Sequence, residues 1–174
     1  CLTPKGIEKV HMPDWLNAWL TLLQDSSLGE TVRNAQFLYP VLESVHILGI
    51  ALLVGPAFTF DLRLLGAGHR VVPVTTAARY LLPLSHIGLG IVAITGIALL
   101  SAQATVVAAA IAAPWKLGLI IIAGINVLVF HKGIYRTVRS WDLDAPVPLP
   151  AKVSALVSAF AWTGVIVAGR FLAY

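Results

Sequence analysis

Four apolar stretches organise the chain. Residues 37–60, 78–101, 115–131 and 153–172 each approach the ~20 residues that a helix needs to cross a bilayer, and polar or basic residues separate them. Pro40 falls in the first turn of its helix, where a missing N–H is harmless, whereas Pro56 and Pro83 are expected to kink or loosen theirs. Ahead of these spans, Trp15, Leu16, Trp19, Leu20 and Leu23 recur at helical spacing behind Asp14, a capping residue, until Gln24-Asp25-Ser26-Ser27 interrupts the pattern. Two Trp on an apolar face beside polar residues fit a short helix lying in the membrane interface, with packing on the end of the bundle as an equal alternative. Ser27 or Thr31 then opens the run into the first span. Residues 102–113 are apolar but too short to span, and read as a re-entrant or interfacial element or an extension of the second helix. Residues 144–150, DAPVPLP, form a stiff spacer before the fourth helix. The pattern predicts an all-α membrane protein: an up-down bundle of four transmembrane helices over 37–174, preceded by a short interfacial amphipathic helix over 13–36.

Composition agrees with this class. The 174 residues are 58% hydrophobic and 11% charged, against about 25% charged in soluble domains, and mean hydropathy is +0.86. A net charge of +4 would suit a nucleic-acid partner if it formed one patch, but Lys and Arg fall between the apolar segments and act as topology signals. Arg63, Arg70 and Arg79 lie in or near the first connection; Lys132, Arg136, Arg139 and Lys152 lie in or near the third. The second has only Lys116 at its end. The positive-inside rule makes the first and third connections cytoplasmic and both termini periplasmic in a bacterial inner membrane, a signal that Arg33 and Arg170 dilute slightly. Cys1, the only cysteine, excludes an intrachain disulfide and a Cys-ligated metal or iron–sulfur centre held by this chain alone. Residues 1–12, CLTPKGIEKVHM, differ in character from the rest and are expected to be a non-native extension, with a lipid-bearing Cys1 as the rival reading; His11 falls with them. No nucleophile–base constellation, P-loop or dinucleotide fingerprint is present, so hydrolysis, nucleotide use and nicotinamide chemistry have no support.

The chemistry lies inside the spans. Glu43 and His46 sit in the first, where a charged group costs a few kcal/mol and a neutral, metal-ligating imidazole avoids most of that penalty. At about 1.5 Å rise per residue from each midpoint, His46 lies roughly 4 Å to the outer side, with His86 roughly 7 Å and His131 roughly 10 Å to the inner side. His86 and His131 therefore share a level. Two imidazoles at matched depth on neighbouring helices are what a b-type haem requires, and the absence of CxxCH excludes a c-type attachment. Gly90, one turn beyond His86, and Gly124, two turns before His131, leave room for a flat macrocycle; small residues are equally common at plain helix contacts. His131 also adjoins Lys132 and could be an ordinary interfacial histidine. The expected site is one haem b on His86 and His131 in the inner half of the membrane, with His46 nearer the outside supporting the site, beside a quinone or as ligand of a second haem, and a His46–His86 pairing as the main rival. A copper or iron ion on these three histidines is the alternative cofactor.

Glu43 and His46, spaced i and i+3, share a helix face, but no Glu follows in the later helices to complete a carboxylate-bridged centre. A Glu43–His46 hydrogen bond that orients the ring, or a proton-handling pair beside a quinone, remains. Asp61 and Arg63 read as an ion pair or lipid-headgroup contact at the inner surface. Lys116 and Arg170, near the outer surface, could pair with Glu30, snorkel, or bind an anionic cofactor group such as a propionate. Asn126 is expected to hydrogen-bond a neighbouring helix, and Trp162 to pack in the core or against a ring cofactor.

The strings LESVHILGIALLVG, DLRLLG, SHIGLGIVAITGIALL and WKLGLIIIAGINVLVFH resemble a family of small bacterial four-helix membrane proteins and, more distantly, the b-type membrane cytochromes and copper-resistance membrane proteins. The resemblance covers about residues 15–172 and implies a fold and a site rather than a reaction. The fourth helix has no His, which departs from a two-haem arrangement with four His ligands. Three functions follow: a haem-b electron-transfer subunit working with quinone or a redox partner, a copper or iron handling protein, and a non-redox structural subunit of an oligomer or larger complex. The lack of Met and Cys inside the membrane argues against Cu(I).

Overall fold

The computed structural model describes residues 13–143 and 145–172; the expected extension at 1–12 lies outside them. The described residues form α1 (Asp14–Gln24), α2 (Ser27–Asn34), α3 (Leu38–Leu65), α4 (Val74–Ala102), α5 (Ala104–Ala109), α6 (Ala112–Lys132), a 3₁₀ helix (Ile134–Ser140) and α7 (Leu149–Phe171). Helices α3, α4, α6 and α7 are each long and apolar enough to cross a membrane, so the protein is an all-α, multi-pass membrane bundle. Their outer faces carry exposed Leu, Ile, Val and Phe, the side chains that lipid solvates. Both α3 and α4 continue through their prolines, Pro56 and Pro83.

The segment before the first span is two short helices rather than one. Asp25 and Ser26 break it, and the Ser26 hydroxyl caps α2 by accepting from the Gly29 N–H at 3.3 Å. No residue of α1 is buried, and Trp15 and Trp19 stand out from it. Its end is tied down all the same: Gln24 Oε1 accepts from the Thr105 backbone (3.1 Å) and hydroxyl (2.9 Å), and Arg33 donates to the carbonyls of Gln24 (2.6 Å) and Ala102 (3.2 Å). Residues 102–113 thus form a surface bridge: Gln103 ends α4, one short helix follows, and α6 begins.

Small residues decide which spans meet. A Cβ on Gly88 would lie 2.7 Å from the Leu52 carbonyl carbon and 2.8 Å from Leu53 Cα, so α3 and α4 touch backbone to backbone. Ser85 donates to the Leu53 carbonyl at 3.1 Å across the same contact. Gly164 of α7 receives Leu119 of α6, and Asn126 and Ser154 exchange hydrogen bonds (2.9 and 3.0 Å) between those two helices, the role expected of Asn126. Helices α3 and α7 join the two pairs, giving the order α4–α3–α7–α6. The backbones of the consecutive spans α4 and α6 do not come close to each other, so between these two helices there is a seam bridged by side chains such as His86 and His131.

One end of the bundle is closed by a cluster of Phe60, Leu64, Val74, Phe130, Val138 and Trp141. Arg63 is buried there, donating to the carbonyls of Val72 (2.5 Å) and Asp142 (3.2 Å). The expected Asp61–Arg63 surface pair is therefore corrected: both side chains are buried, and they point to different partners because two residues along a helix face nearly opposite sides.

Candidate functional site

A cleft of about 90 Å³ lies between the two helix pairs beneath the seam. Its walls are mostly apolar. Ser85 and His86 reach it from α4, Asp61 from α3, Asn126 and His131 from α6, and Ser154, Ser158 and Trp162 from α7. The two histidines that depth reckoning placed at one level meet here, their ring centres 6.3 Å apart and their planes at 78°. Phe130 packs edge-on against His131 at 5.5 Å and against Phe60 at 5.8 Å, so aromatic rings back the pair. Tyr135 lies 6.0 Å from His131 on the far side. Burial, then the nearby Asp142 carboxylate, push the Tyr135 phenol above its ordinary range.

Hydrogen bonds fix the tautomer of both rings. His86 Nδ1 lies 2.6 Å from the Leu82 carbonyl and His131 Nδ1 lies 2.9 Å from the Val127 carbonyl. A carbonyl only accepts, so each Nδ1 carries the hydrogen and each Nε2 keeps its lone pair. His46 reaches the same state by another route. Its Nδ1 is 2.8 Å from Thr95 Oγ1, whose own hydrogen goes to the Ile91 carbonyl at 2.6 Å, so the imidazole is the donor there as well.

His46 is otherwise separate. It faces α4 at Thr95, nine residues beyond His86 and so about 14 Å along the helix, which gives the rival His46–His86 pairing no geometric support. Lys116 is half-buried on α6, and a Cβ on Gly169 of α7 would be 3.5 Å from its Nζ. The expected Glu43–His46 hydrogen bond is corrected: Glu43 is exposed and makes no hydrogen bond among the described residues. Three residues along a helix differ by about 60° in direction, enough to turn His46 into α4 and leave Glu43 outside. Gly90 and Gly124 are bare, with nothing within 4 Å of an added Cβ, and neither lines the cleft. Arg170 is exposed in the last turn of α7.

Asp61 is the cleft residue whose role the sequence pattern concealed. Only 6% exposed, it turns its carboxyl toward the cleft, and Oδ2 has no hydrogen-bond partner. Its place beside Arg63 at the end of an apolar run suggested a surface residue. Among the described residues, no group of three His, Cys, Asp or Glu is placed to share one metal ion. No known family matches the chain, and neither does any curated protein or solved structure.

Proposed function

We propose that this protein is a b-type cytochrome subunit of a bacterial inner membrane that carries electrons, with one haem held by His86 and His131. The observation that carries the reading is the imidazole pair. A metal–imidazole bond is about 2 Å and the ring centre lies roughly 1 Å further back, so two imidazoles on opposite sides of one metal have centres about 6 Å apart. The observed separation is 6.3 Å, and both Nε2 atoms are free to ligate.

The donor set favours haem over a bare ion. A haem asks the protein for two axial ligands, whereas a copper or iron ion asks for a larger set; Asp61 lines the same cleft, but it and the two histidines are not placed to share one ion. The cleft, about 90 Å³ and partly open, is smaller than a macrocycle, so a haem held there would extend beyond it. When bound, such a group supplies a one-electron couple. The Leu82 and Val127 carbonyls orient the imidazoles by accepting from Nδ1. Phe60 and Phe130 exclude water behind them, and Trp162 offers an apolar ring in the same cleft. The arginines and lysines of the α3–α4 and α6–α7 connections support a cytoplasmic location for both, with the termini periplasmic. A quinone or a redox partner subunit then brings or removes the electrons.

The test is the spectrum of protein purified from cells supplied with haem. A Soret band and a reduced α-band are expected. His86→Ala and His131→Ala should each abolish or convert the bis-imidazole spectrum while His46→Ala leaves it largely intact. A colourless wild-type protein, or full haem retention in His131→Ala, overturns the reading.

A further inference from the structure

At the end of the bundle opposite Trp141, the surface of α1 divides into three strips. With about 100° between successive residues, Leu16, Leu20 and Leu23 share one arc, Trp15, Trp19 and Leu22 a second, and Asp14, Asn17 and Thr21 the third. The first arc is half-buried where α1 meets α5, α2 and the end of α4. Gln24, held by Thr105 and by the Arg33 guanidinium, fixes that rotation. Trp15, Trp19 and Leu22 are therefore turned away from the protein and left 66%, 68% and 67% exposed. The neighbouring α2 docks instead, with Val32 buried against Ala98 and Ala102. Trp115, in the first turn of α6 at the same end, is exposed as well, whereas Trp141 is buried and Trp162 half-buried. All the exposed Trp side chains thus lie at one end of the bundle.

We propose that α1 is a membrane-interface helix whose Trp15–Trp19–Leu22 stripe sits between the headgroups and acyl chains of neutral, zwitterionic lipid. The apolar faces of the four spans already meet lipid, and the stripe continues that surface at the level where they end. Trp suits this level because its ring is apolar while its indole N–H can reach a headgroup or water. The third arc, polar and exposed, is left for water. Charge selects the class of lipid. Interfacial helices that bind anionic lipid carry Lys and Arg on their polar face, whereas residues 13–36 hold Asp14, Asp25 and Glu30 against Arg33, whose guanidinium is taken by the Gln24 and Ala102 carbonyls. Attachment then comes from apolar burial, not from attraction to negative headgroups. A protein partner fits less well: each Trp offers at most about 250 Å², so the stripe falls short of the roughly 800 Å² per partner of a stable interface. The imidazole pair lies near the opposite end, beside Phe130, so this reading stands apart from the haem.

The experiment places an environment-sensitive fluorophore on single cysteines, Leu22→Cys in the stripe and Asn17→Cys in the polar arc, with Cys1 replaced by Ser. The whole protein is held in phosphatidylcholine nanodiscs, and circular dichroism checks the helicity of each variant. The Leu22 label should emit to the blue of the Asn17 label. It should be quenched by phosphatidylcholine carrying a spin label near the headgroup, more than by one labelled near the chain end, because interfacial helices reach only about 5–10 Å into the boundary. The Asn17 label should instead be quenched by acrylamide in the water. Replacing part of the phosphatidylcholine by phosphatidylglycerol should leave both labels unchanged. Adding Trp15→Ser and Trp19→Ser should shift the Leu22 label to the red and lose its lipid quenching; if that variant does not fold, the two labels in the otherwise native sequence decide alone. Quenching of the Leu22 label by acrylamide overturns the proposal, and so does protection from both quenchers, which would mean that protein covers the stripe. Lipid quenching that requires phosphatidylglycerol also overturns it, by making the attachment an electrostatic one.

Discussion

The Asp142 carboxylate accepts from both the backbone N–H (2.8 Å) and the hydroxyl (2.7 Å) of Thr75, a residue 67 positions earlier. Its carbonyl also accepts from the Val74 N–H at 3.1 Å, so a loop after the 3₁₀ helix caps α4 in place of a local residue. This contact fixes the helix that carries His86. Asp142→Ala should cost about 1–2 kcal/mol, the usual worth of a helix cap, and Asp142→Asn less. Thermal unfolding in detergent, followed by circular dichroism, checks the order; equal midpoints for wild type and Asp142→Ala would refute the cap's importance.

Two glycines on α4 should behave oppositely. Gly88 lies against the α3 backbone, so Gly88→Ala forces two main chains apart and should destabilise strongly or prevent folding. Gly90, two residues further along the same helix, faces open space, and Gly90→Ala should change stability by no more than about 0.5 kcal/mol. Yield and melting temperature of the two variants, compared side by side, decide it.

Tyr135 gives a pH test outside the spans. Its phenol is raised by burial and by Asp142, so its neutral form is favoured in the folded state. The associated stability is fully present below the ordinary tyrosine value near 10 and is lost as pH rises through the higher folded value. Ultraviolet titration, taken as the difference between wild type and Tyr135→Phe, should place the midpoint above 10, and Asp142→Asn should bring it down. A Tyr135 midpoint at or below 10 would contradict this.

The spans were legible because each is a long apolar run, and the shared level of His86 and His131 followed from constant helix rise. Helix neighbours were not. Nothing in the hydropathy of α4 and α6 states that they stay apart, since that follows from Gly88 docking on α3 and Leu119 docking on Gly164. Side-chain direction was equally hidden: Glu43 and His46 look like a pair in sequence, yet Thr95, on another helix, takes the imidazole. Asp61 was misplaced for a related reason, as hydropathy locates the end of a span only to within a turn or so.

Sidedness can be tested by labelling. With Cys1 replaced by Ser, single cysteines at Ala67 in the α3–α4 connection and at Thr137 in the 3₁₀ helix should react with a membrane-impermeant maleimide only after the cells are opened. Reaction at either position in intact spheroplasts would reverse the proposed orientation.

Asp61 makes the last case. A buried carboxyl oxygen without a partner costs about 1–3 kcal/mol, and replacement by an apolar group of similar volume is commonly neutral or stabilising. Asp61→Leu should therefore raise the melting temperature, whereas Asp61→Asn, which keeps a polar group at the same place, should change it little. Because Asp61 is not one of the proposed ligands, neither substitution should abolish a His86–His131 spectrum. A marked loss of stability in Asp61→Leu would show that the contact of the carboxyl with Ser158 in the cleft outweighs its unpaired oxygen, and loss of the spectrum together with stability would show that Asp61 also supports the imidazole pair.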